Sequence, residues 1–254
     1  MRAEMLLPAL LLFGVFCGSV TAQASDVRLP DDEYLRAIGT AWTTDRSELL
    51  YREFHYAEDP QLDLPTRVLY RNAAGELMAD KTIDYSRSVI APAIVQFDYR
   101  NQAMVTTGYP ESPEARMIRV EYQAHDSERL RSRDVSHRDN LIVDAGFDPY
   151  VRENWDALTA GRSVTTSFLV PARLDSVRIS VSETDAGECN ARGENFHCFI
   201  IRPAGVLRVV SWFVDPIRIA YDTETRRLLS FEGISNIRDD AGDARNVLID
   251  FEYF

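Results

Sequence analysis

Apolar and polar residues alternate with a period of two through most of this chain. Stretches rich in aromatic and β-branched residues, separated by turn residues, predict strands at Glu48–Ala57, Thr66–Arg71, Leu77–Tyr85, Ile94–Arg100, Ala103–Gly108 and Met117–Ala124. The second half repeats the pattern at Ser163–Val170, Ser176–Glu183, Phe196–Arg202, Ile217–Asp222, Arg227–Ile234 and Val247–Phe254. About a dozen strands at such short intervals leave no room for helical crossovers, so the expected arrangement is an antiparallel meander. Three hairpins share one rhythm: Tyr70–Met78, Tyr221–Leu229 and the shorter Tyr99–Val105. Ahead of them, Asp31–Thr43 suits a short helix or the first arm of a hairpin turning at Thr44–Ser47, with the hairpin favoured.

One segment has helical periodicity. Asp148 suits the N-cap, Pro149 the first helical position and Gly161 the C-terminal cap, bracketing Tyr150–Ala160. Val151, Trp155 and Leu158 then share one face, with Arg152, Glu153 and Asp156 elsewhere. A sheet curling around this helix would cover its apolar face and bury its own.

Pro203–Pro216 has neither period. Its apolar residues, among them Leu207, Trp212 and Phe213, suit a buried strand or short core helix, or a lid that offers apolar surface to a ligand, lipid or partner.

Arg2, the apolar run Met5–Phe16 and the small residues ending at Ala22 and Ala24 have the layout of a secretory signal peptide over residues 1–24. The run is about a dozen residues, short of the roughly 20 that span a bilayer. Residues 25–254, with no boundary rich in Pro, Gly or Ser, are expected to form one exported β-rich domain, periplasmic or secreted and without a transmembrane span.

The formal net charge is -12, and loss of Arg2 and Glu4 together leaves it unchanged. Such a surface repels phosphate backbones, which argues against nucleic acid. Anionic membranes are disfavoured on average too, unless a local basic or apolar patch overrides the mean. Past the leader only Cys189 and Cys198 remain, flanking a polar stretch, and in an oxidising compartment they are expected to form a disulfide.

Candidate chemistry is sparse. The chain has no Gly-x-Ser-x-Gly elbow, phosphate-binding Gly-rich loop, His-Glu-x-x-His or Cys-x-x-Cys, and neither cofactor nor metal is expected. His55 shares a strand face with Glu53 and Tyr51, an arrangement open to general-base use but commoner as an ordinary hydrogen-bonded strand residue. Asp239, Asp240 and Asp243 lack the ligand order of a calcium loop and read as a hairpin turn.

The meander, the leader, the helix at Asp148–Ala160 and the hairpin at Tyr221–Gly233 together resemble the LolA/LolB-type lipoprotein carriers and, more loosely, uncharacterised proteobacterial periplasmic proteins. The resemblance implies a strongly curved antiparallel sheet, an unclosed half-barrel of about a dozen strands packed around one or two helices, whose concavity takes acyl chains. The region Glu111–Asn140 and the cysteine pair are departures from that pattern, the first resembling an insert.

Three functions follow as alternatives. The chain is a non-enzymatic carrier of a lipid or other hydrophobic ligand held by Val151, Trp155, Leu158, Leu207, Trp212 and Phe213. Or it is an envelope module with a protein partner and no small ligand. Or it is an unfamiliar enzyme whose carboxylates or His55 converge in a polar cleft.

Overall fold

The strand alternation is realised as a single sheet. The structure, a computed structural model, describes residues 32–57, 63–110, 116–125, 128–137, 140–204 and 216–254. The first eight strands are β1 (Leu35–Trp42), β2 (Leu49–Tyr56), β3 (Arg67–Asn72), β4 (Leu77–Asp84), β5 (Ala93–Asp98), β6 (Met104–Gly108), β7 (Met117–Gln123) and β8 (Arg131–Ser136). The rest are β9 (Leu141–Ile142), β10 (Val164–Val170), β11 (Asp175–Thr184), β12 (Phe196–Pro203), β13 (Ile217–Asp222), β14 (Leu228–Ile234) and β15 (Asn246–Tyr253).

The sheet order is β8-β7-β6-β5-β4-β3-β2-β1-β15-β14-β13-β12-β11-β10-β9. Two meanders are stitched in the middle by β1 and β15, from Ala37 opposite Tyr253 to Trp42 opposite Leu248. All pairings are antiparallel except the short one of β9 with β10, which makes the sheet mixed. The expected first hairpin is present as β1 and β2, and the expected carboxylate turn lies between β14 and β15.

Curvature brings the two ends of the sheet face to face. From β8, Arg133 reaches Asp175 of β11 at 3.5 Å, and Arg131 donates to the Ala172 carbonyl at 3.0 Å. No ladder joins β8 to β9, β10 or β11 among the described residues, so the barrel remains unclosed. A cleft lies along this seam, lined by Arg133, Val135, Leu141, Ser167, Asp175 and Ser176. Both members of the Arg133–Asp175 pair are well exposed, so side chains rather than a strong ionic bond span the gap.

Two sequence expectations need correction here. The helix is two short pieces, α1 (Phe147–Glu153) and α2 (Trp155–Thr159), broken at Asn154. Asn154 donates its side-chain amide to the Tyr150 carbonyl at 2.9 Å, a local bond that competes with regular helix. Asp148 is not the N-cap: Gly146 occupies that position and Asp148 lies in the first turn. Gly161 does follow the helix end in the left-handed region, at φ 75°. Second, Glu111–Asn140 is no mere insert, because it contributes β7 and β8 to the sheet. β8 is hard to read from sequence, since only Val135 among Arg131–Ser136 is buried.

The expected disulfide joins Cys189 to Cys198. Cys198 is buried on the outward face of β12, and the loop it closes runs back over the outside of the sheet. There the Asn190 amide donates to Glu232 of β14 at 2.7 Å, the Asn190 carbonyl accepts from Arg46, and Arg192 pairs with Asp250 of β15 at 3.3 Å. The strap therefore ties β12 to β14, β15 and the β1–β2 turn. Replacing both cysteines by serine is expected to lower unfolding free energy by about 2–3 kcal/mol, because the open loop regains chain entropy. Urea denaturation of oxidised wild type against the variant measures this.

Candidate functional site

A sheet of fifteen strands encloses more space than its own side chains fill. Two inserts occupy that space. The loop between β14 and β15 turns inward beneath β2–β7. Ser235 shares a hydrogen bond with the Tyr51 hydroxyl at 2.7 Å, Asn236 donates to the Tyr70 hydroxyl at 3.2 Å, and Arg238 donates to the Tyr122 hydroxyl at 2.8 Å. Ile237, fully buried between these bonds, joins the core cluster of this half, which includes Val68, Ile83, Ile94 and Ile118.

The helices fill the other half. Val151, Trp155 and Leu158 all lie in a second core cluster with Ile179, Val181, Phe199, Ile219 and Tyr221. Trp155 meets the rings of His197, Phe199 and Tyr221 edge-on, with centroids 5.3, 5.8 and 6.1 Å away. Arg226 lies over the indole at 5.3 Å. The three helical candidates thus come together on the concave face of β11–β13. Leu207, Trp212 and Phe213 lie outside the described residues.

Burial varies across this face. Ile179, Val181, Phe199, Ile201 and Ile219 are buried, whereas Phe168, Val177, Ile217 and Phe231, and at the Trp155 end Val164 and Leu228, are only partly so. Phe168, Val177 and Ile217 lie towards the β10–β11 and β12–β13 turns, the end away from Trp155. The ring of Phe147 approaches Phe168 with centroids 6.2 Å apart.

Between the two clusters lies a polar junction that sequence reasoning missed. Lys81, the sole lysine of the chain, points inward from β4 and is almost fully buried. Its Nζ donates to both carboxylate oxygens of Asp144, at 2.7 and 2.9 Å, and lies 5.8 Å from the centre of the Tyr70 ring. Asp144 stands where the chain leaves β9 for α1, at φ 40°. The signal was a charge in the inward phase of Ala79, Lys81 and Ile83.

Burial raises the carboxyl pKa of Asp148, against the pull of Arg152 at 2.9 Å. Burial likewise pushes the Tyr221 and Tyr70 hydroxyls well above the usual phenol range, helped by Asp148 and Glu53 respectively. These hydroxyls therefore stay neutral and serve as hydrogen-bonding groups. The Tyr85 hydroxyl, also buried, has no hydrogen-bond partner among the described residues.

His55 and Glu53 do meet, with Nε2 3.0 Å from Oε2, and His55 packs edge-on against Phe251. A second such pair joins His197 to Glu183 at 2.6 Å. The two lie on different parts of the inner face, in β2 and in β11–β12. Among the described residues no group of three or more His, Cys, Asp or Glu could hold a metal ion, and no helix is long and apolar enough to cross a membrane.

No family model matches the chain, and no curated protein matches it. Among solved structures it is similar to a β-barrel-like protein of a domain of unknown function, DUF1849, from Brucella abortus. That likeness has 9% sequence identity and a TM-score of 0.31, covering 86% of this chain and 95% of the other.

Proposed function

We propose that the protein is an exported, non-enzymatic carrier or binding protein for a hydrophobic molecule with an acyl chain. The carrying observation is that the helices leave part of the concave apolar face uncovered. Val164, Phe168, Val177, Ile217, Leu228 and Phe231 are only partly buried there, so water still reaches them. Accessible apolar surface in a concavity gains most from covering by an apolar ligand. Leu207, Trp212 and Phe213 lie outside the described residues, and their apolar sequence between β12 and β13 is the ground for keeping them in the proposed site. In this reading Val151, Trp155 and Leu158 form its floor, and the polar junction is framework.

A second reading has its own observation. Trp155 is in ring contact with three neighbours, as in a filled core, which favours an envelope interaction module without a small ligand.

Native mass spectrometry of protein purified from its own cell envelope separates the two, with organic extraction to identify any lipid. The carrier reading expects a stoichiometric acyl species, lost in Ile217→Glu while the circular dichroism spectrum is retained. A wild-type apo mass from several preparations would exclude the carrier and leave the module.

A further inference from the structure

The outward face of the first meander breaks the rule that solvent-facing strand positions are polar. Cross-strand register places Ile38, Phe54, Leu69, Asp80, Phe97 and Met104 in one row across β1 to β6. Five of the six are apolar. Asp80 is neutralised within the row by Arg67, which donates two bonds to it at 3.0 and 2.6 Å. Leu69 is fully buried although it points outward, and Val95, one row away, is 51% exposed. Phe97 and Tyr99 pack edge-on with centroids 5.2 Å apart, which extends the apolar surface towards the β5–β6 turn.

The outward row on one flank runs Arg71, Arg52, Thr40 and Asp250, and Asp250 is paired with Arg46 and Arg192. Arg52 and Arg71 stand directly opposite each other in the β2–β3 ladder, where like charges repel. Neither forms an ion pair among the described residues, the nearby Asp80 being taken by Arg67. Arg71 instead donates to the Gly75 carbonyl at 2.8 Å and lies over the Phe54 ring at 5.8 Å. Glu76, the acid of the adjoining turn, accepts from Asn72. On a chain of net charge -12, an apolar row beside two arginines without ion-pair partners is a local reversal of the average, bounded by Glu252, which stands opposite Ile38 at the end of the row.

We propose that this outward face docks on an anionic phospholipid surface. Phe54, Phe97 and Met104 of the row, with Val95 of the next one, enter the interface, and Arg52 and Arg71 meet lipid phosphates. Guanidinium matches phosphate in geometry and charge, and long arginine stems lie along apolar surface while their heads stay at the polar layer. Acidic residues elsewhere on the protein then set its orientation, since other faces are repelled. The assignment concerns the outside of the sheet and is independent of any ligand inside it.

Sedimentation with phosphatidylglycerol vesicles, using phosphatidylcholine vesicles as control, tests the docking. Wild type is expected to sediment with the anionic vesicles and to be released by salt. The double variant Arg52→Gln/Arg71→Gln is expected to bind roughly thirtyfold more weakly, from about 1 kcal/mol for each basic residue at such a surface. Val95→Asp is expected to weaken binding with an unchanged thermal midpoint. Failure of wild type to bind, equal binding to both vesicle types, or binding indifferent to these variants would overturn the proposal. So would a concentration-dependent dimer in analytical ultracentrifugation that Val95→Asp abolishes without any vesicle binding, since the face would then belong to a second copy.

Discussion

Gly146→Ala is expected to cost at least about 3 kcal/mol and to yield little folded protein, a larger effect than most single methyl additions. A Cβ built at Gly146 would lie 1.9 Å from the carbonyl oxygen of Ile90 and 2.3 Å from its carbonyl carbon. The obstacle is backbone, and it is held. The Val143 amide donates to the same Ile90 oxygen at 3.0 Å, and the Tyr109 hydroxyl donates to the neighbouring Ala91 carbonyl at 2.6 Å. Relief would therefore require the β4–β5 loop to move away from the entry to α1, taking buried Ala91 out of the core. Thermal unfolding followed by near-ultraviolet circular dichroism reads the loss. Gly146→Ala with a wild-type midpoint would show that the two backbones are not clamped as described.

The second large effect is expected at Asp144→Asn, at about 2–4 kcal/mol. Asparagine keeps the shape and tolerates the left-handed backbone at φ 40°, so the substitution isolates the charge. It leaves the Lys81 ammonium, 4% exposed, without its counter-ion, and an unpaired buried charge is costly. Lys81→Met in the Asp144→Asn background is expected to restore most of the loss, because neither side chain then carries charge into the interior. A denaturant series on wild type, both single variants and the double variant gives the coupling directly. Additive losses, with no recovery in the double variant, would mean that Lys81 and Asp144 contribute separately.

Much of the architecture was legible because period-two patterning is a local property. The hairpins at Tyr70–Met78 and Tyr221–Leu229 are present as β3–β4 and β13–β14. The disulfide was legible from two cysteines flanking one short polar stretch. β8 was not, because an edge strand with one buried residue carries almost no alternation to read. The break at Asn154 was hidden for a different reason: Val151, Trp155 and Leu158 keep nearly helical spacing across it. The Lys81–Asp144 pair joins residues far apart in sequence, and only the closing of the sheet brings them together. Neither the outward row at Phe54, Leu69 and Phe97 nor its charge flank could be seen strand by strand, since each strand supplies a single residue and the row exists only once register is fixed.

The pairing of β1 with β15 has a consequence for the order of events during synthesis. Each meander can form its own hairpins as the chain emerges, but the ladder that unites them joins strands roughly two hundred residues apart. Until β15 is free, β1 keeps one edge unsatisfied and the two half-sheets have no common register. Completion therefore waits for β15, and the ladder of greatest sequence separation is also the one on which the whole circumference depends. A nascent chain of this kind stays open along its central strand until β15 arrives, a state in which it can still be threaded.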